Sequence, residues 1–337
     1  QVLHDSDGLA GNYTRSLLVD TDGILWIGTE NGLSRFDGTS FRTFGTQEGL
    51  VFPAVNALAQ DARGDLWVSA CESLFLPGAP ITCQPGRLTG GEFEFWSDLG
   101  TEFVFDLHVD QEGNIWSAIT SGLARYDAGD FVTLTTQEGL GSNTVRSLIE
   151  DSHGNIWMGT MGGASVFDGD TIRTISTDQG LPHNTVHDLL EDTHGQLWIA
   201  TEGGLASWDG ANLTAYTTAN GLPYDRILQL AQAADGELWM ASMGGGVLRY
   251  RDGAFSAIDA SDGLANNSVL SVRAHPESGV WATIWDAGVT HVEDAGQQQY
   301  TTTEGLQQNG VSSIYVDRDG LLWLATQGAG ISVFDDS

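Results

Sequence analysis

His183 and His187 lie four residues apart, with Asp188 beside the second and Glu202 fifteen residues beyond it. Imidazoles near a carboxylate are the groups that move protons around neutral pH. His183, His187 and Glu202 are thus the set on which a lyase or hydrolase would draw, with a divalent cation as cofactor. From a helix, a four-residue spacing aims two imidazoles at one metal, but this segment enters a strand, so the spacing assigns no metal site. Positive charge is scarce: 13 arginines and no lysine stand against 45 acidic residues. Arg15, Arg146 and Arg226 are therefore candidates to grip a carboxylate or sulfate, pairing with a local acid being the competing use. Trp285, followed by Asp286, and Tyr224 offer ring faces on which a sugar could stack, while the competing use of Trp285 is to cover a sheet edge. Glu30, Glu202 and Asp286 are the carboxylates from which a glycosidase pair would be drawn, but sequence places no two of them at the separation that chemistry needs.

The elements that carry these residues follow from a repeat. Eight tryptophans, Trp26, Trp67, Trp116, Trp157, Trp198, Trp239, Trp281 and Trp323, recur at intervals of 41, 49, 41, 41, 41, 42 and 42 residues. Periods in this range mean propellers or helical arrays. Six positions before the Trp stands Asp20, Asp61, Asp110, Asp151, Asp192 or Asp317, and three before it Gly23, Gly64, Gly113, Gly154, Gly195, Gly236 or Gly320. Asp at the first and Gly at the fourth position is type I turn chemistry, so each Trp follows a hairpin turn. Flanking runs such as "VRSLIE" and "IWMGT" read as strands, and a small residue two after the Trp (Gly28, Ser69, Ala118, Gly159, Ala200, Ala241, Thr283, Ala325) predicts close packing between sheets. A Gly-rich corner, a third strand and a short fourth strand complete each unit, and Gly-Leu pairs such as Gly180-Leu181 lead to the next. Four antiparallel strands per unit make a propeller blade. The expectation is an all-β, closed eight-bladed β-propeller forming a single domain over 1–337, with the N-terminal strand completing the last blade and leaving no open edge.

Blade 2 departs from the period through an insertion at about 71–86 that holds both cysteines, Cys71 and Cys83. Two cysteines confined to one loop predict a local disulfide, and with it an oxidising compartment. No apolar run approaches a membrane span, and no secretory leader is read at Gln1. A formal charge of −32 repels nucleic-acid phosphates and anionic lipid, so no nucleic acid and no membrane insertion are expected.

The stretches "DSHGNIWMGTMGGASVFDG", "DTHGQLWIATEGGLASWDG" and "DTDGILWIGTENGLSRFDG" resemble the two-component-regulator propeller repeat, roughly Asp-x-x-Gly-x-Leu-Trp-Ile-Gly-Thr-x-x-Gly-Leu. The resemblance covers essentially the whole chain. It implies a bacterial, extracytoplasmic sensor-type propeller, periplasmic or secreted. The motif marks turns and core, so it transfers no ligand or catalytic residue.

Residues shared by all units are scaffold, and departures at loop positions are candidates. The position entering the first strand reads Arg15, Asn56, Phe105, Arg146, His187, Leu228, Leu270 and Ser312. The position four past the Trp reads Glu30, Cys71, Thr120, Met161, Glu202, Met243, Trp285 and Gln327. Both sets are expected near the channel mouth, joined by loop-tip residues that include Tyr13, Phe52, His183, Tyr224, Asp225 and Arg226. His153 and His194, in turns at the other face, read as solvated. The first functional reading is a non-enzymatic propeller that binds a small molecule or glycan there without a cofactor. The alternatives are a protein-interaction scaffold favouring a basic partner, and the lyase or hydrolase named above.

Overall fold

The computed structural model describes residues 2–73, 81–96, 103–127, 130–275, 279–294, 296–316 and 321–334. The chain is all-β: eight four-stranded antiparallel sheets, each pairing first to second to third to fourth strand, make an eight-bladed β-propeller. Contacts divide the chain into two compact units, 1–134 with 311–337, and 135–310. The first unit holds blade 1 (Thr14–Val19, Leu25–Thr29, Gly32–Phe36, Phe41–Phe44), blade 2 (Ala54–Gln60, Leu66–Cys71, Cys83–Thr89, Glu92–Phe95), blade 3 (Val104–Val109, Ile115–Ile119, Gly122–Asp127, Asp130–Leu134) and blade 8. Blade 8 consists of Val311–Val316, Leu322–Thr326 and Ile331–Phe334, and its fourth strand is Val2–Leu3, where Val2 pairs with Ser332 and Leu3 with Ile331. The N-terminal strand thus completes the last blade. The second unit holds blade 4 (Val145–Glu150, Ile156–Thr160, Gly163–Phe167, Ile172–Ile175), blade 5 (Val186–Glu191, Leu197–Thr201, Gly204–Trp208, Leu213–Tyr216), blade 6 (Ile227–Gln232, Leu238–Ser242, Gly246–Arg251, Ala254–Ile258) and blade 7 (Val269–Ala274, Val280–Ile284, Gly288–Glu293, Gly296–Tyr300).

Why these residues make hairpins is visible in blade 4. Gly154 donates its amide to the Asp151 carbonyl at 2.9 Å, and with φ at +82° it closes a turn that a side chain would strain. One Asp151 oxygen accepts the amides of His153 and Asn155, and the other accepts the Trp157 indole N–H at 2.8 Å. The same carboxylate-to-indole bond joins Asp20 to Trp26, Asp61 to Trp67, Asp110 to Trp116 and Asp192 to Trp198. Asp317 and Gly320 of blade 8 lie outside the described residues. Behind each turn the small residue is required by packing: a Cβ on Gly28 would sit 2.6 Å from the Val55 carbonyl oxygen of the next blade. Polar clasps add to this. Glu191, the last residue of blade 5's first strand, accepts the Ser152 amide and hydroxyl of blade 4 at 2.6 and 2.7 Å, and Gln232 of blade 6 accepts the Thr193 amide of blade 5 at 2.9 Å.

Cys71 and Cys83 stand directly opposite each other in blade 2 and form a buried disulfide. Residues 74–80 of the insertion, and 97–102 of the linker that follows the blade, lie outside the described residues.

Burial pushes the Asp151 carboxyl up, but the hydrogen bonds from Asn155, Trp157 and His153 outweigh it and hold it below the usual carboxylate range. Its stabilisation is therefore complete above the unfolded pKa near 4 and is lost as pH falls through the lower folded value. Asp151→Ala leaves a buried indole N–H without its acceptor and is expected to cost about 1–3 kcal/mol, read as a lowered urea midpoint at pH 7, with a smaller difference from wild type at pH 3.

Candidate functional site

In every blade the first strand carries an irregularity, at its second residue except in blade 2, where it falls on the third, Asn56. Pairing jumps from Thr14 to Ser16 in blade 1, from Val145 to Ser147 in blade 4, from Val186 to Asp188 in blade 5 and from Ile227 to Gln229 in blade 6, and likewise elsewhere. The skipped residues are Arg15, Asn56, Phe105, Arg146, His187, Leu228, Leu270 and Ser312. A bulge frees its residue from the ladder and re-aims the side chain. The candidate column is thus a column of bulges, a property of strand register that the sequence columns do not display.

The second candidate column is tied beside the first by backbone. The Met161 amide donates to the Thr144 carbonyl, Glu202 to Thr185 at 3.1 Å, Met243 to Arg226 at 3.2 Å and Trp285 to Ser268 at 2.9 Å. The loops leading in are rigid. Asn143 accepts the Thr136 amide, Asn184 the Thr177 amide and Asn267 the Ala260 amide, each from seven residues upstream. Asp225 takes this place in blade 6, accepting both the amide and the hydroxyl of Thr218, so its carboxylate holds the loop. Leu140, Leu181, Leu222 and Leu264 of the Gly-Leu pairs are buried and anchor the same loops.

On this frame the second unit brings His187, Glu202, Arg226 and Arg146 near one another. His187 Nε2 lies 2.7 Å from Glu202 Oε2 within blade 5, and Arg226, at the entrance to blade 6, places Nε 2.9 Å from Glu202 Oε1. Burial lowers the His187 pKa against the opposing pull of Glu202, and Arg146 and Arg226 lower it further. Glu202 is pushed up by burial but more strongly held down by His187 and Arg226. At neutral pH His187 is therefore neutral with its proton on Nε2, donated to an ionised Glu202. Such a pair can position a neutral imidazole, or accept a proton at Nδ1.

The remaining candidates stand as follows. Arg15 and Arg146 are both exposed and, among the described residues, neither has an acid partner. His183 accepts the Thr185 amide at Nδ1 and packs near Gly203, so the two imidazoles of the four-residue spacing do different work. Among the described residues no group of three or more His, Cys, Asp or Glu gathers as a metal site. Tyr224 lies across Gly244 and Gly245 with its ring partly exposed. Trp285 is 60 % exposed. Its corner is held by Asn266, whose amide donates to the Trp285 carbonyl, and by Asp286 at φ +51°, an uncommon conformation for a residue with a side chain.

Sequence reasoning noted Asp188 beside His187 but gave it no role. It follows the bulged His187, and its carboxylate accepts the Leu230 amide of the next blade at 2.9 Å. Burial pushes its pKa up to about 6, against the Leu230 and Leu189 amides and the charge of Arg273. A raised folded pKa means that the folded state gains stability as pH falls from about 6 towards the unfolded value near 4, and carries a buried charge above that window. Asp188→Asn keeps the acceptor and removes the charge. Its stability relative to wild type is expected to be higher at pH 8 than at pH 5, by about 1 kcal/mol, measured by urea unfolding at both values.

Residues 8–31, 139–162, 180–203 and 305–328 match the two-component regulator propeller family. Curated proteins offer no sequence match. Among solved structures, the extracellular domain of a putative hybrid two-component system from B. thetaiotaomicron is 20% identical with a TM-score of 0.57, over 100% of this chain and 53% of that one. The chain thus spans about half the length of that ectodomain. Virginiamycin B lyase from Staphylococcus aureus is 15% identical with a TM-score of 0.58, over 95% of this chain and 94% of that one. A surface component of the type-IX secretion system of Porphyromonas gingivalis is 13% identical with a TM-score of 0.56, over 92% and 56%. At such identities the likeness is one of fold. The four family matches fall on the hairpins of blades 1, 4, 5 and 8, and over those stretches the chain is similar to the two-component regulator propeller family.

Proposed function

We propose that the loop face of blades 4–7 binds a small organic anion, a carboxylated or sulfated sugar or acid, as the recognition surface of a non-enzymatic extracytoplasmic propeller. The observation that carries this reading is Arg146. In a chain with 45 acidic residues it holds an exposed guanidinium, re-aimed by a bulge, without an acid partner among the described residues. An unpaired fork of five donors suits a carboxylate or sulfate. His187, whose proton affinity Arg146 lowers, offers a neutral imidazole beside it, and Trp285 and Tyr224 supply exposed ring faces on the same side of the unit. The disulfide, the family repeat and the extracellular domain of similar fold support a place outside the cytoplasm.

A second reading rests on the same histidine. The His187–Glu202 pair has the geometry of an oriented general base. Among proteins of similar fold, virginiamycin B lyase has a histidine-to-alanine form described as catalytically inactive, solved with quinupristin. Turnover of quinupristin by this chain that disappears in His187→Ala would favour it.

Calorimetric titration with glucuronate, galactose 6-sulfate and benzoate tests the first reading. At least one is expected to bind, with affinity reduced about tenfold or more, some 1.4 kcal/mol, in Arg146→Ala, and reduced also in Trp285→Ala if the ligand carries a ring. Binding that is indifferent to Arg146→Ala contradicts it.

A further inference from the structure

The charged and apolar positions of the second unit's loop face follow an order from blade 4 to blade 7. Arg146 stands at the bulge of blade 4, near enough that its charge acts on His187 of blade 5. His187 meets Glu202, and Glu202 meets the guanidinium of Arg226. The charged run stops there. The Arg226 side chain turns to Glu202, while its carbonyl accepts the amide of Met243, the corner residue of blade 6, at 3.2 Å. Met243 in turn bridges to Ser268 at the entrance to blade 7, and the Ser268 carbonyl accepts the Trp285 amide at 2.9 Å. The corners of blades 6 and 7 are thus neighbours across Ser268.

Beyond Arg226 the face is apolar. The bulge residues of blades 6 and 7 are Leu228 and Leu270, both half-buried, where blades 4 and 5 carry Arg146 and His187. Their placement is fixed from behind: Asp188 accepts the Leu230 amide and the Gln229 side-chain oxygen accepts the Val272 amide, which stitches the first strands of blades 5, 6 and 7 together one residue past each bulge. Tyr224 lies on the glycine corner next to Met243, where a Cβ on Gly244 or Gly245 would come within 2.7 or 2.4 Å of its atoms. The bulge and corner positions of blades 6 and 7 carry no side-chain N or O atom except the Trp285 indole nitrogen. Such a surface suits hydrocarbon better than a sugar ring, whose hydroxyls would be taken from water without partners.

Among the described residues of this unit, the large apolar side chains left exposed are Met161, Tyr224 and Trp285, and all three stand at loop-face positions. Met161 is at the blade 4 corner, with its amide bonded to the Thr144 carbonyl two residues before Arg146. Apolar side chains exposed singly need no explanation, but their confinement to one face marks a surface that is covered in use.

We propose that the ligand of this face is an amphiphilic anion, a carboxylate or sulfate on a hydrocarbon body, with its head at Arg146 and its body laid across blades 6 and 7 towards Trp285. The inference rests on the anion-binding reading above and deepens it, because it assigns the apolar half of the ligand to a separate set of residues.

The test is calorimetric titration of the intact chain with hexanoate, octanoate and decanoate below their micelle concentrations, with octanamide as the uncharged counterpart and glucuronate as the hydroxylated one. Affinity is expected to rise about two- to fourfold with each added methylene, and octanamide to bind about tenfold more weakly than octanoate. Arg146→Ala is expected to weaken all three acids alike and to keep the ratios between them. Trp285→Ser with Tyr224→Ser, both at exposed positions where the fold is not at stake, is expected to flatten those ratios. Val132→Ser removes an exposed apolar side chain from an outer strand of the other unit and is expected to change nothing. Glucuronate binding that depends on Arg146, without a gain along the acid series, overturns this inference and leaves the anion reading standing. Acid binding that rises with length but ignores the Trp285 and Tyr224 changes, or falls equally in Val132→Ser, also overturns it. Binding of every anion that is indifferent to Arg146→Ala, or no binding at all, overturns both.

Discussion

A carboxylate that closes a hairpin on one side and accepts an indole proton on the other joins turn, strand and core in blades 1 to 5. Asp110 does this for Trp116 and Asp192 for Trp198, and the tryptophans so fixed are among the most deeply buried side chains. Because the indole is held by its own blade, its faces are left to meet whatever the third strand brings. The third-strand arginines stack there, and so do aromatic neighbours such as Tyr250 on Trp198 at 5.2 Å. The same bond fixes where the second strand begins, and hence where it ends, at the corner that carries Glu202, Met243 and Trp285.

Where the carboxylate is missing the blade is rebuilt. In blade 6 Ala233 stands in its place, and the Trp239 indole nitrogen is buried without a hydrogen-bond partner. The Arg249 guanidinium then covers that ring, held by Glu237 and Asp294, so a cation clamp does part of the work of the lost turn bond. In blade 7 His275 stands at the turn, and His291 stacks on Trp281 at 4.7 Å. These substitutions keep the sheet while changing what the turn end presents.

Much of this was legible in the sequence because it is local. Trp spacing, the Asp and Gly before each Trp, and the Gly-Leu pairs specify hairpins and loop anchors from neighbouring residues alone, and the two cysteines in one insertion announced their bond. The N-terminal strand was readable because "QVLHDSDGL" repeats the tail of a fourth strand. What escaped depends on register and on neighbours distant in sequence. The bulge that re-aims Arg146 and His187 is a pairing irregularity. The burial of Asp188 comes from the next blade's backbone, and the competition for Arg226 is settled by Glu202 rather than by a ligand.

The loop face of blades 4–7 combines a fixed frame with Arg146, a cation without an acid partner among the described residues. Asparagine clasps and buried leucines hold its loops before any ligand arrives, so little ordering would oppose binding. Arginine-selective NMR of the labelled chain, titrated with glucuronate, reads each guanidinium separately and tests the claim most directly. The account predicts a saturable shift of the Arg146 side-chain signal while those of Arg87, Arg125 and Arg249, already engaged with ring or acceptor, stay in place. A titration that leaves Arg146 unmoved, or that moves all the arginines alike, would contradict it.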